Sequence, residues 1–287
     1  MRIAIATDTN SSITQEEANT LGVFLLPMPF IIEKESYFEG VDITNDALYE
    51  AMKELKDIST SQPSPGHLLG FWDDIFSKGY DKIVHIPMSS GLSNSCNSAK
   101  QLAKEYDDKV IVVDNHRISV TLKSAVICAL RLLKDGKSAE EIKAILEEDA
   151  YSSTIFLVVD SLDYLKKGGR ITSSAAALGS LLHIKPILTT QGDAIEPYTK
   201  VRTLKKAEKV MIEAIQKERN TRFFNVPDEK LCVYVAGTYE SKEQAEHWRM
   251  IVQEAFPQFV VTYMDLPCSI ACHVGRNAAG IALVKEI

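Results

Sequence analysis

Apolar residues in the first 150 positions follow two alternating rhythms: short unbroken runs, and longer stretches that return every three or four residues. "RIAIATD" (2–8) is such a run, closed by Asp8, and predicts a buried strand. Thr14 and Glu17 form a capping-box pattern, and Gly22 stops the short helix they open. "FLLPMPFII" (24–32) carries two prolines, so it reads as an edge strand or extended segment rather than a central strand. Leu48, Ala51, Met52 and Leu55 share one helix face. Ser64 and Pro65 suit the cap and first position of the next helix, with Leu68, Leu69, Trp72, Ile75 and Phe76 inside and Gly79 at its end. "KIVHIP" predicts a strand, Ala99, Leu102, Ala103 and Tyr106 a helix, and "KVIVVD" a further strand. Two helices close the half, one over 122–133 and one opened by the Ser138/Glu141 capping box.

Alternation of this kind implies a doubly wound, mostly parallel sheet. In such sheets ligands sit beyond the carboxyl ends of the strands. The second half opens with the strand "TIFLVVD", a basic loop "LKKGGRI", a small-residue helix over 173–182 and the strand "KPILTT". "QGD" turns the chain into "AIEPYTKVRT", the return arm of a hairpin. Helices near 203–219 and 241–255 alternate with strands "KLCVYVAGT", "FVVTYMDL" and "GIALVKE". The expectation is an α/β protein of two α/β domains, 1–153 and 154–287, with a ligand between them.

Length and composition agree with a globular protein: 287 residues, 45% hydrophobic and 25% charged. No apolar run approaches a membrane span, and Asp8 comes too early for a secretory leader, so a cytoplasmic location is expected. Five scattered cysteines argue against a disulfide framework. A net charge of −7 disfavours nucleic-acid binding. Charge is uneven, however. Residues 161–206 hold Lys166, Lys167, Arg170, Lys185, Lys200, Arg202, Lys205 and Lys206 against Asp163, Asp193 and Glu196, a +5 island on a chain otherwise at −12. Such an island is either a solvated face or a docking surface for something anionic.

Candidate chemistry gathers at strand ends. Asp8 is followed by "TNSS"; "STSQPSP" (59–65) sets Thr60, Ser61, Gln62 and Ser64 before a helix; "SSGLSNS" (89–95) sets Ser89, Ser90, Ser93 and Ser95 around Gly91. Hydroxyls at helix N-termini are either ordinary caps or the donors of an anion pocket. No G-x-G-x-x-G, Walker loop or G-x-S-x-G elbow is present. Cys268, Cys272 and His273 do not have a usual zinc spacing, and no metal is expected. His273 is open to offering its imidazole to a bound acid or filling an interior site. His85 reads as core, and His116 stays ambiguous.

"TSQPSP", "SSGLSNS", "VDSLDYLKKGGRI" (159–171), "KPIL" (185–188), "KVRT" (200–203) and "HVG" (273–275) occur in the order seen in the DegV family, which the whole chain resembles. The resemblance implies two α/β domains clasping one long-chain fatty acid, whose carboxylate a bacterial acyl-binding subunit presents to a separate ATP-dependent fatty acid kinase. By matching motif, Thr60, Ser61, Ser90, Gly91 and Ser93 would bind the carboxylate with His273 near it. Lys167, Arg170 and Arg202 would lie on the face used by the kinase. No catalytic residue and no cofactor beyond the bound acid is implied, and contact with a membrane would be at most transient. Two departures stand out: Arg276-Asn277 where the family has Pro-Gly, and "DNHRISVT" (114–121), which brings His116 and Arg117 near the expected headgroup. Two other functions stay open on the residues alone: a hydrolase or phosphotransferase using His273, and a regulatory binder of another amphipathic acid.

Overall fold

The computed structural model describes residues 1–177 and 184–287. The chain divides into two compact units, Met1–Tyr151 with Pro267–Ser269, and Ser152–Leu266 with Ile270–Ile287.

The first unit is built on a four-stranded parallel sheet of β1 (Ile3–Asp8), β2 (Phe24–Leu26), β6 (Lys82–Ile86) and β7 (Val110–Val112), in the order β2-β1-β6-β7. Strand residues alternate between faces. Ala4, Ala6, Ile83, Val110 and Val112 pack with α3 (Pro65–Ser77) and α4 (Ser95–Leu102) through Leu68, Trp72, Ile75, Cys96 and Ala99. α5 (Ser119–Lys134) and α6 (Ala139–Glu148) pack against β1, β6 and β7. His85 is a core residue, as its apolar strand predicts. Its Nδ1 accepts a 2.9 Å bond from Trp72 Nε1, and burial pushes its pKa down to about 3.

Local signals act as read at several helix ends. α1 (Gln15–Leu21) starts where Thr14 accepts from Glu17 N and stops at Gly22, whose φ is 71°. Ser64 caps α3 by accepting from His67 N, and the Ser138/Glu141 box opens α6. Three expectations fail. α2 (Asn45–Lys53) ends before Leu55, which is 87% exposed at φ 56°; its amphipathic register runs past the point where the backbone leaves the helix. α4 ends at Leu102 and tightens into a 3₁₀ turn over Ala103–Tyr106. "FLLPMPFII" is two strands: β2 lies at a sheet edge, but β3 (Pro29–Ile32) is central in an antiparallel sheet with β4 (Glu35–Phe38) and β5 (Ile58–Thr60). Pro29 is tolerated there as the strand's first residue, and Pro27 lies outside both strands.

The second unit is a six-stranded mixed sheet, β10-β9-β8-β13-β11-β12. It comprises β8 (Ser153–Val158), β9 (Lys185–Thr190), β10 (Glu196–Val201), β11 (Leu231–Gly237), β12 (Thr262–Asp265) and β13 (Ala279–Lys285). β9 and β10 form the expected antiparallel hairpin, and β11 pairs parallel with β12. α9 (Leu204–Asn220) and α10 (Lys242–Ala255) cover the sheet with Met211, Ile215, Trp248 and Val252. α7 (Asp163–Gly168), α8 (Ser173–Ala177) and α11 (Cys268–Val274) are short. The small-residue helix expected over 173–182 is described to Ala177; its remainder lies outside the described residues. No helix among the described residues is long and apolar enough to cross a membrane.

Two glycines carry packing that a side chain would block. A Cβ on Gly168 would collide with His273 Nδ1, and one on Gly275 (φ +80°) would meet the Tyr164 ring at 2.9 Å. Gly275→Ala therefore combines left-handed strain with a ring collision. It should lower unfolding free energy by about 2–4 kcal/mol, read by chemical denaturation. Wild-type stability in that variant would refute the packing.

Candidate functional site

β1, β6 and β7 run parallel and deliver three loops to one sheet edge. The loop after β6 is pinned from both neighbours. Met88 N donates to Asp8 Oδ2 (2.9 Å), Ser89 N to Arg117 O (2.9 Å) and Ser90 N to Asp114 Oδ1 (3.2 Å). The next donors turn inward. Gly91 N bonds Ser89 Oγ (3.0 Å), while Leu92 N and Ser93 N reach Ser89 O at 3.2 and 3.1 Å. Every backbone N–H from 88 to 93 is thus committed within the fold.

The four serines therefore differ in what they offer. Ser89 is buried and closes the turn with its own oxygen. Ser90 is engaged through its side chain with Asp114, whose Oδ2 also takes a 2.8 Å bond from Lys100 Nζ. Ser93 Oγ accepts from Ser95 N (3.2 Å), which leaves its O–H proton for an acceptor outside the loop. Ser95, at the start of α4, is 6% exposed with an Oγ that has no partner among the described residues. Gly91 was expected to help bind an anion. Its N–H is committed to Ser89, which removes the donor it would use.

The "TSQPSP" segment reaches the same place. Thr60 ends β5, Ser61 N donates to Pro29 O (3.3 Å), and Ser61 is exposed. Gln62 Oε1 accepts from Ser98 Oγ (3.1 Å) and Asn94 Nδ2 (3.5 Å), stitching this loop to the start of α4. The two hydroxyl-rich motifs, some 30 residues apart in sequence, are neighbours. The signal that could have found this is Gln62, a long acceptor amid short hydroxyls.

Two buried carboxyls lie at the same sheet edge: Asp8, which closes the first apolar run, and Glu39, which no sequence motif marks. Asp8 Oδ1 accepts from Asn10 N (3.0 Å) while its Oδ2 holds Met88 N; burial pushes its pKa up to about 6 against these bonds. Glu39 is also raised by burial, although Thr9 and Ser269 donate to it. Arg117 and His116 do not extend the donor set. Arg117 is buried and pairs with Asp149 at 2.8 Å, and His116 lies against Tyr151 with ring centroids 4.8 Å apart. Arginine at 117 is a structural ion pair.

In the second unit the remaining motifs pack on one another. Tyr164 lies on Gly275 and His273 on Gly168, while Arg170 donates to Gly168 O and Lys185 pairs with Asp160. Thr172 N and Ile195 N bond across to Ile195 O (3.1 Å) and Arg170 O (3.4 Å), tying the "GGRI" loop to the hairpin. Burial, then the Arg170 guanidinium, pushes His273 down to about 4, so it is neutral at pH 7. Arg170 is half-buried; Lys167 and Arg202 are exposed, and Thr203 caps α9 by accepting from Lys206 N (3.2 Å). Arg276 pairs with Glu240, and Asn277 takes the left-handed conformation (φ 58°) that glycine would supply. Cys268, which belongs to the first unit, donates from Sγ to Asn45 Oδ1 (2.8 Å) within that unit. Among the described residues no group of three or more His, Cys, Asp or Glu could hold a metal.

A family model for DegV proteins matches residues 2–286. A DegV domain-containing protein of Deinococcus radiodurans is 34% identical over 284 residues, covering 99% of this chain and 98% of that one. Among solved structures, a fatty-acid-binding DegV family protein from Thermus thermophilus matches with TM-score 0.88 at 27% identity, over 99% of this chain and 100% of that one. DegV from Bacillus subtilis, a fatty acid binding protein, matches with TM-score 0.85 at 28% identity over the whole of both chains.

Asp8 makes stability depend on pH. Its folded pKa lies above the ordinary 3.8, so its contribution is fully present below about 4 and is lost as pH rises through about 6. Asp8→Asn forfeits one acceptor at every pH but removes this loss. Between pH 4 and pH 8 the stability difference should therefore move in the variant's favour by about 3 kcal/mol. Parallel pH profiles of wild type and variant in urea unfolding would contradict the assignment.

Proposed function

The chain belongs to the DegV family, and from that premise we propose that it is a cytoplasmic lipid-binding protein that holds one long-chain fatty acid by its carboxylate. It presents that carboxylate to a separate ATP-dependent fatty acid kinase. A carboxylate oxygen attacks the γ-phosphorus of ATP; the new O–P bond forms as the bond to the β-phosphate oxygen breaks, and acyl phosphate and ADP result.

One observation carries the reading: Ser93 accepts from Ser95 N and so keeps its proton for an outside acceptor, in a loop whose own backbone donors are spent. Thr60 and Ser61 would complete the set of neutral donors. Each buried methylene contributes about 0.8 kcal/mol, so the acyl tail supplies most of the affinity, and the hydroxyls need only offset desolvation of the headgroup. Neutral donors suit an oxygen that must later act as a nucleophile, because an arginine clamp would hold its electrons more tightly. Two features disfavour a stand-alone hydrolase. Ser93 has no histidine or carboxylate hydrogen-bond partner among the described residues. His273, with its pKa near 4, is a weak base at pH 7 and suits a neutral hydrogen-bonding role toward the headgroup. Lys167 and Arg202, exposed in the +5 segment, are the residues through which the kinase would dock, with Arg170 shaping the loop between them.

Native mass spectrometry of the purified protein should show one bound C14–C18 acid. The triple variant Thr60→Ala, Ser61→Ala, Ser93→Ala should lose it, and lipid retained at wild-type level would overturn the assignment. Arg202→Ala should keep its lipid yet form acyl phosphate with the kinase at least tenfold more slowly; an unchanged rate would remove that residue from the docking face.

A further inference from the structure

α4 begins with an end that the loop leaves open. Asn94 makes no side-chain cap bond, and Ser93 Oγ satisfies only the first N–H, that of Ser95. First-turn N–H groups have no partner inside a helix, so those of Cys96 and Asn97 gain none from the helix or from Asn94. Ser95 supplies an independent observation. It is 6% exposed, and its Oγ is buried without a partner among the described residues. Helical Cα–Cβ bonds tilt toward the N-terminus, which directs this hydroxyl to the same end as the free N–H groups. A buried hydroxyl without a partner costs free energy unless a bound group completes it. Asn94 and Asn97 are exposed, so the end is reachable from solvent. Asp114, which lies nearby, is already paired with Lys100 at 2.8 Å.

We propose that the N-terminus of α4, with Ser95 Oγ and the N–H groups of Cys96 and Asn97, is a second oxyanion subsite, which receives the phosphoryl group of the acyl phosphate. This rests on the fatty-acid reading above. A carboxylate has two oxygens to satisfy, and Thr60, Ser61 and Ser93 suffice for them. The donors at α4 are surplus to the substrate acid and are matched to the oxygens gained on phosphorylation. A helix N-terminus favours the added negative charge. The protein thereby retains the product after the kinase has acted and can hand it to an acyl-accepting reaction.

The test compares palmitate with 2-oxoheptadecylphosphonate, in which a methylene replaces the bridging oxygen of the acyl phosphate. Both are titrated into delipidated full-length protein. Wild type should bind both. Ser95→Ala should weaken the phosphonate at least tenfold and leave palmitate within twofold, and Ser95→Thr should restore phosphonate binding. Losing an unpartnered hydroxyl should leave the melting temperature unchanged or raised, so misfolding would not explain the loss. Equal weakening of both ligands, or no change in either, overturns the subsite. Wild type that binds palmitate but not the phosphonate also overturns the subsite and spares the fatty-acid reading. Binding of neither ligand overturns both.

Discussion

Three consecutive N–H groups, at Met88, Ser89 and Ser90, are fixed by acceptors that the loop itself does not contain. Asp8 at the end of β1 takes the first, and Arg117 and Asp114 beyond β7 take the others. A loop pinned by its neighbours on both sides has little freedom to rearrange. What it offers a ligand is therefore decided in advance: the backbone is spent, and the side-chain hydroxyls of Ser93 and Ser95 remain. Rigidity of this kind lowers the ordering cost of binding any group there.

That arrangement has a thermodynamic cost located at Asp8. Burial, with a smaller push from the Glu39 carboxyl, holds Asp8 at a pKa of about 6, and a neutral acceptor would avoid much of that cost. Asp8 is retained because one side chain with two acceptor oxygens bridges Asn10 N and Met88 N, which no amide can do without turning a donor toward a donor. The second unit uses a different device. There two glycines let His273 and Tyr164 lie directly on the backbone, so that "GGR" and "HVG" form one packed structure and His273 stays neutral at pH 7.

Much of the fold was legible because its signals are local. Thr14, Ser64 and Ser138 cap the helices they announce, and apolar runs such as "KIVHIP" become strands within a residue or so of their limits. The hydroxyl clusters were also legible as strand-end loops. What their residues do was not. Ser89, Ser90, Ser93 and Ser95 look alike in sequence, and only partners far along the chain, such as Asp8 at a separation of 80 residues, distinguish them. The same holds for Arg117, which the sequence places near the expected headgroup and whose partner, Asp149, lies 32 residues further on. The end of α2 before Leu55 and the central place of β3 were missed for a simpler reason: periodicity does not register where a helix unwinds, and a proline count does not register that Pro29 stands first in its strand.

The proposed function depends on the Ser93 proton meeting an oxyanion. Its most direct test is the affinity ratio between palmitate and methyl palmitate, measured by calorimetry on wild type and Ser93→Ala. Wild type should prefer the acid by about a hundredfold, the worth of two charge-assisted hydrogen bonds, and the variant should lose at least tenfold of that preference. Equal affinity for acid and ester in the wild type, or a preference untouched by the substitution, would contradict it.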